Sequence, residues 1–413
     1  MKYHGVNSAR RIYRFFYLVR VQQALWTGLM SPFWVVFFKT MGLSYSEISL
    51  LIAVSYVSTL IFEIPTGTIA DLWGRKLSVI LSLIVTGSTC IGIFFFPSFF
   101  ELLLLFYALQ GIGATLSSGA FSAWLADSLI AVGEEENLTE YWGGITSSNY
   151  LGSVLGFLIG GGLASLGLLR YIWLISGIGA FATVLFIALL GKETSVGSLD
   201  SSKSTKNTLK AYIRTLQEGS IYLFSFTLLF WLTVASFFWY ISTGVLSLGW
   251  QPYLVEHGIP IPLLSAILIA YTLLAFLVTN KAGMLTNWIG GERLLLGTIA
   301  LVGGGLTFLM IPAKDFAWLV FIVYGGIISL KEPTFYGYIN RFIPSKLRAT
   351  VLSSYSMVTS ISTILSMFIF GKASDNWGLN IAIAFSATVM VIAAAVFFMI
   401  VYMRHDEDEK VYI

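Results

Sequence analysis

Four ionisable side chains lie inside long apolar runs of this chain: Arg20, Glu63, and the neighbours Lys331 and Glu332. A charge within hydrocarbon is expensive and by default marks a binding site or an ion path. Carboxylates so placed can exchange protons, because burial raises a carboxyl pKa and a nearby cation lowers it. Arg20 belongs to a stripe of Tyr13, Tyr17, Arg20, Thr27 and Ser31, at steps of three, four or seven residues, so that face meets something polar. Three readings of Arg20 stand: it faces a polar cavity, it snorkels to the near interface, or it pairs with Glu63. Lys331 and Glu332 point about 100° apart on a helix, so a pair between them is not expected. Glu332 shares a face with Ser329, Tyr336 and Asn340 and is expected to face a central cavity, whereas Lys331 aligns with Tyr324, Phe335 and Tyr338. Pro333 between these positions distorts the helix. Further polar stripes run through Ser236, Tyr240, Thr243, Ser247 and Gln251, and through Thr146, Asn149 or Tyr150, and Ser153.

A second constellation is the connection GTIADLWGRK, residues 67 to 76. Gly67 and Gly74 allow close backbone approach and a tight turn. Glu63, Gly67 and Asp71 recur at every fourth residue and lie on one helix face. A carboxylate in the place of Asp71 can sit against the N-terminus of another helix, whose free N–H groups and dipole favour negative charge. Arg75 and Lys76 admit a plainer reading, as basic anchors at a membrane surface.

The elements that position these residues follow from composition. Of 413 residues, 57% are hydrophobic and only 11% are charged, against about 25% charged in soluble domains. The chain is therefore an integral membrane protein. Spans of about 20 residues are expected near 14–38, 45–66, 78–96, 102–126, 142–165 and 171–191, then near 222–250, 261–282, 294–312, 316–339, 350–370 and 379–402. An even count puts both termini on one side. Eighteen basic residues then fall on the side of the termini, and only Lys39, Arg170, Lys314 and Lys372 on the other, so both termini are expected in the cytoplasm of a cell-membrane protein. Residues 1–191 and 219–413 are expected to form two six-helix bundles, joined by a polar cytoplasmic linker at 192–218. Within the linker Leu209, Ile213 and Leu216 share one helical face, which fits a short helix on the membrane surface or a simple continuation into the seventh span.

Other chemistry is excluded or unsupported. The net charge of +3 is too small and scattered for nucleic acid. Cys90 is the only cysteine, and His4, His257 and His405 lie at the chain ends or in a loop, so no metal cluster is expected. No hydrolase, metalloprotease or phosphate-loop motif is present. Gly177-Ile-Gly179-Ala-Phe-Ala182 matches a dinucleotide fingerprint only loosely, mid-span and with no preceding strand. The chain is read as no enzyme, with no cofactor.

The two halves align without a gap. Gly42 opens GLSYSEISLLIA and Gly258, 216 positions later, opens GIPIPLLSAILIA. In that register Gly67 meets Gly283, Gly74 meets Gly290, and Asp71 meets the neutral Asn287. Gly67-x-x-Ala-Asp71-x-x-Gly74-Arg75-Lys76, joining spans two and three, resembles the signature loop of the major facilitator superfamily. Span count, linker and repeat agree with it over essentially the whole chain. The resemblance implies an all-α fold of twelve transmembrane helices in two pseudo-symmetric bundles, with a substrate site between them near the midplane. It implies that Asp71 docks on span eleven, after IPSKLRAT (343–350), to help close the cytoplasmic entrance, and that Arg75 pairs with Asp127. YALQGIGA (107–114), which includes Gln110, is similar to the span-four motif of proton-driven members, but Tyr107 replaces its arginine. Gly152-Ser-Val-Leu-Gly156-Phe157-Leu-Ile-Gly160-Gly161 is similar to the antiporter motif of span five, but Phe157 replaces its proline. Both departures put proton-driven drug antiport in doubt, and close helix packing is the expected role of these glycines.

The function these features lead to is secondary transport of a small molecule by alternating access. The expected form is proton-driven efflux of an amphipathic compound by a monomer, lipid and protons being its other partners. The alternatives are uptake or exchange of a small organic anion or metabolite, and a membrane sensor that keeps the fold but moves nothing. Expected gate residues are Gly67, Asp71, Gly74, Arg75, Lys76 and Asp127. Expected substrate or coupling residues are Arg20, Glu63, Gln110, Asn149, Tyr240, Lys331 and Glu332.

Overall fold

A computed structural model describes residues 2–193, 219–308, 316–344 and 347–411. The expected surface helix of the linker lies outside them. The described chain folds into α1 (Lys2–Met30), α2 (Trp34–Thr40), α3 (Tyr45–Trp73), α4 (Arg75–Phe95), α5 (Phe100–Ile130), α6 (Leu138–Ser165) and α7 (Tyr171–Leu190). After the linker come α8 (Thr227–Glu256), α9 (Leu263–Thr279), α10 (Ala282–Ile289), α11 (Gly291–Phe308), α12 (Ala317–Ile328), α13 (Lys331–Ile339), α14 (Arg348–Trp377) and α15 (Leu379–Val411). Among the described residues there is no strand.

The expected spans are helical over most of their described lengths, with breaks in four of them, the seventh at Phe226. The first divides into α1 and α2, and the tenth into α12 and α13. The eighth divides into α9 and α10, bent by 53°. Among the described residues eight helices are long and apolar enough to cross a membrane, nine if that bent pair counts as one span. The other spans fall short for identifiable reasons. Arg14, Arg20, Gln22 and Gln23 dilute α1, Ser, Thr and Gly dilute α6, and α11 is described only to Phe308.

The repeat is written into the backbone. Gly42 and Gly258 adopt φ of 94° and 88°, and Gly74 and Gly290 adopt 101° and 92°. A side chain is strained in this left-handed region, so glycine is required at each reversal. Both pairs are 216 positions apart, the register found in the sequence.

The described residues group into two units. The first takes in those within Met1–Leu43, Leu50–Asn207 and Pro260–Ile269. Here α6 packs on α1 and α7, and α4 on α5 and α7. The contact of α6 with α1 rests on glycines. A β-carbon on Gly152, Gly156 or Gly160 would lie 2.3, 2.4 or 2.6 Å from the carbonyl oxygens of Val21, Leu25 and Leu29. The spacing of four on both helices makes these contacts a ladder, in which the missing side chains let backbone meet backbone. Below the ladder Phe16, Phe121, Trp124, Ile145 and Ile187 form an apolar core.

The second unit takes in the described residues within Ser44–Ser49, Thr208–Ile259 and Ala270–Ile413. Here α8 packs on α14 and α15. Ser242 and Ser386 each donate to the other's carbonyl, at 2.8 and 2.9 Å. Asp375 near the end of α14 accepts from the backbone N–H groups of Tyr45 and Ser46, at 2.9 and 2.8 Å, and so caps the first turn of α3.

Candidate functional site: a polar pocket and a buried ion-pair cluster

In the first unit, α1, α4, α5, α6 and α7, with Ser55 of α3, line an open pocket of about 740 Å³, within the usual range for small-molecule sites. Arg20, Gln23 and Thr27 of α1 line it, one helical turn apart, with Gln110 of α5 and Asn149 of α6. Gln110 also donates to the Thr89 hydroxyl at 3.3 Å. Trp26, Phe121 and Trp142 supply aromatic wall. Arg20 is the one residue with a formal charge among those lining the pocket. Its guanidinium lies 5.9 Å from the centre of the Phe121 ring, a distance at which a cation still meets the negative face. Among the described residues it meets no carboxylate.

Of the three readings open for Arg20, the cavity-facing one matches its position. Glu63 is exposed, does not line the pocket, and makes no ion pair with Arg20 among the described residues. Tyr13 and Tyr17, the start of the expected polar stripe, pack instead against the apolar core. Thr146 and Asn149 line the pocket, and Tyr150 does not.

The second unit holds a cluster around α13. Lys331 is buried, at 3% exposure. Its Nζ donates to Glu332 Oε1 at 2.9 Å, to the Tyr355 hydroxyl at 3.1 Å and to the Tyr240 hydroxyl at 3.4 Å. The Tyr240 hydroxyl in turn donates to the same Glu332 oxygen at 2.6 Å. The ammonium also sits 4.4 Å from the ring centre of Tyr240 and 4.6 Å from that of Phe335. The expectation that Lys331 and Glu332 do not pair is therefore corrected. The angle of about 100° separates Cβ directions, but the four-carbon stem of lysine is long and flexible enough to swing its ammonium back across that gap. The break at residues 329–330 puts both residues in the first turn of α13, where Pro333 fits without losing a helical bond. Lys331 points inward, and the Glu332 side chain is 46% exposed.

The stretch 67–76 is helical on both sides of Gly74, the end of α3 and the start of α4, and this junction is held by charges. Gly74 caps α4 with its positive φ. Arg75 Nη1 donates to Asp127 Oδ2 and, at 2.7 Å, to the Ala123 carbonyl, so the structure brings Arg75 and Asp127 together. Lys76 Nζ donates to the carbonyls of Gly191 and Ala188, at 2.8 and 3.3 Å, at the C-terminus of α7, where a cation is favoured. Glu193 accepts from the backbone N–H groups of Arg75 and Lys76, at 3.0 and 3.1 Å, so it caps α4 from 118 positions away. A β-carbon on Gly67 would meet nothing within 4 Å. The side chain of Asp71 lies outside the described residues.

Sequence reasoning missed Gln23, Trp26, Tyr355, Glu193 and Asp375. Gln23 had a signal, being three residues from Arg20 and four from Thr27. Trp26 had one too, three residues beyond Gln23 on the same helix; the others act across the chain, where spacing says nothing.

The chain is similar in sequence and in fold to known membrane transporters. An MFS-type transporter, YxaM of Bacillus subtilis (strain 168), is 25% identical over 416 residues, covering 96% of this chain and 98% of that protein. The quinolone resistance protein NorA of Staphylococcus aureus is 28% identical over 191 residues, 45% of this chain and 48% of that protein. The crystal structure of nucleoside transporter NupG superposes with a TM-score of 0.78 at 12% identity, covering 94% of this chain and 98% of that one, a likeness of fold. The sequence profile of the Major Facilitator Superfamily matches residues 17–367. With that match over most of its length, and an all-helical fold among the described residues to carry it, this chain belongs to the Major Facilitator Superfamily of membrane transporters.

Proposed function

We propose that this chain exports a small amphipathic molecule by alternating access, driven by an ion gradient that exchanges protons at Glu332. The observation that carries the reading is the Glu332 carboxylate, half exposed yet held by Tyr240 and Lys331. The carboxylate is the counter-charge of a buried ammonium, so its charge and the packing of Lys331 depend on each other. The pocket around Arg20, Gln110 and Asn149 supplies polar and aromatic wall for a substrate. Export is supported by the partial likeness to a quinolone resistance protein. In this reading the termini are cytoplasmic, one chain is the working unit, and Asp71 acts with Arg75 and Asp127 at the cytoplasmic gate.

The test uses proteoliposomes with an imposed pH gradient and a labelled compound taken from a thermal-shift screen at two pH values. Glu332→Gln is expected to abolish gradient-driven accumulation while leaving downhill exchange. Unchanged accumulation against the gradient would refute the coupling role. Absence of any flux in the wild type would favour a sensor that keeps the fold.

A further inference from the structure

We infer that the pocket of the first unit is a seat for an oxyanion, so that the substrate is an aromatic or otherwise apolar small molecule bearing a carboxylate or phosphate. This deepens the transport reading and rests on it. Arg20 is the one formal charge on the pocket wall, and no carboxylate meets it among the described residues. Every other polar group on that wall is an amide or a hydroxyl, apart from the indole N–H groups and the buried thiol of Cys90. Such a pocket has one electrostatic sign, and water-poor walls concentrate that field. A guanidinium offers a planar fork of donors that fits two oxygens of one oxyanion, and it stays charged at any working pH. Gln23 and Thr27 stand one turn along the same face, and Gln110 and Asn149 add amide donors from α5 and α6. Trp26, Phe121 and Trp142 give an aromatic body something to lie against. An amine has no counter-charge in this pocket and meets repulsion from Arg20. The wall thus selects by sign first and by apolar body second.

Matched ring compounds separate these terms. Purified wild type in chloride-free buffer is titrated by calorimetry with benzoate, phenyl phosphate, benzyl alcohol and benzylammonium. Either anion is expected to bind, the neutral alcohol roughly tenfold or more weakly, which is about 1.4 kcal/mol, and benzylammonium not at all. The better of the two anions tells carboxylate from phosphate. Arg20→Gln is expected to weaken that anion at least tenfold, and Arg20→Lys to retain part of the affinity. Asn149→Asp, a carboxylate placed on the same wall, is expected to weaken the anion and admit benzylammonium. Benzylammonium binding wild type as tightly as the anions overturns the inference, as does failure of both anions to bind. The comparison among probes on wild type stands even where a variant fails to fold. An anion that binds but is not moved in proteoliposomes upholds the seat and sinks the transport reading.

Discussion

Replacing Gly156 with alanine tests how closely α1 and α6 are joined. The new β-carbon would lie 2.4 Å from the Leu25 carbonyl oxygen and 2.9 Å from the Gly28 Cα. Ordinary contact begins near 3.4 Å, so the two backbones must part by about 1 Å, and overpacking of this kind costs roughly 1–3 kcal/mol. Alanine also gains about 1 kcal/mol of helix propensity over glycine, which hides part of the loss. Gly162 supplies the control, because it lies on the same helix and a β-carbon there meets nothing within 4 Å. Both variants share the propensity gain, so their difference isolates the contact. In detergent-solubilised protein, Gly156→Ala is expected to melt below Gly162→Ala by about 3–10 °C, taking the usual shift for a unit of some 200 residues. It is also expected to weaken any ligand that spans Arg20 and Asn149, since those residues sit on the two helices being separated. Equal melting of the two variants would refute the ladder as the joint between α1 and α6.

Three further outcomes follow from contacts in each unit. Glu332→Gln leaves the buried Lys331 ammonium without its counter-charge and is expected to cost about 2–4 kcal/mol, whereas the double variant with Lys331→Met regains most of it; a double variant no more stable than Glu332→Gln would show that the pair is not the source. Asp375→Ala removes the acceptor for two backbone N–H groups of α3 and is expected to lose about 1–2 kcal/mol, read as an earlier chemical-denaturation midpoint with faster hydrogen exchange at residues 45–48. Arg75→Gln and Asp127→Asn are expected to be non-additive by about 0.5–3 kcal/mol in a double-mutant cycle, and additivity would mean that the two side chains do not pair.

The broad fold was legible because lipid imposes a simple code. Long apolar runs separated by polar connections leave few architectures open. The half-chain repeat was legible at Gly42, Gly74, Gly258 and Gly290, where backbone reversal requires the same residue type twice. The site was readable only where it repeated along one helix, as at Arg20 and Thr27. The Lys331–Glu332 pair was misjudged by treating a flexible side chain as a fixed spoke. The caps supplied by Glu193 and Asp375 were invisible because a carboxylate far along the chain leaves no local mark at the helix it finishes. The stripe through Tyr13 and Tyr17 shows the opposite failure, a polar-looking period whose hydroxyl-bearing rings are largely apolar bodies.

The glycine ladder restricts how the Arg20 wall can change shape. Three carbonyls of α1 nest against α6 at successive turns, so neither helix can spin or slide without a backbone collision. Arg20 and Asn149 therefore travel together as points on one stiff beam. Whatever motion carries a ligand through this protein must move that beam whole.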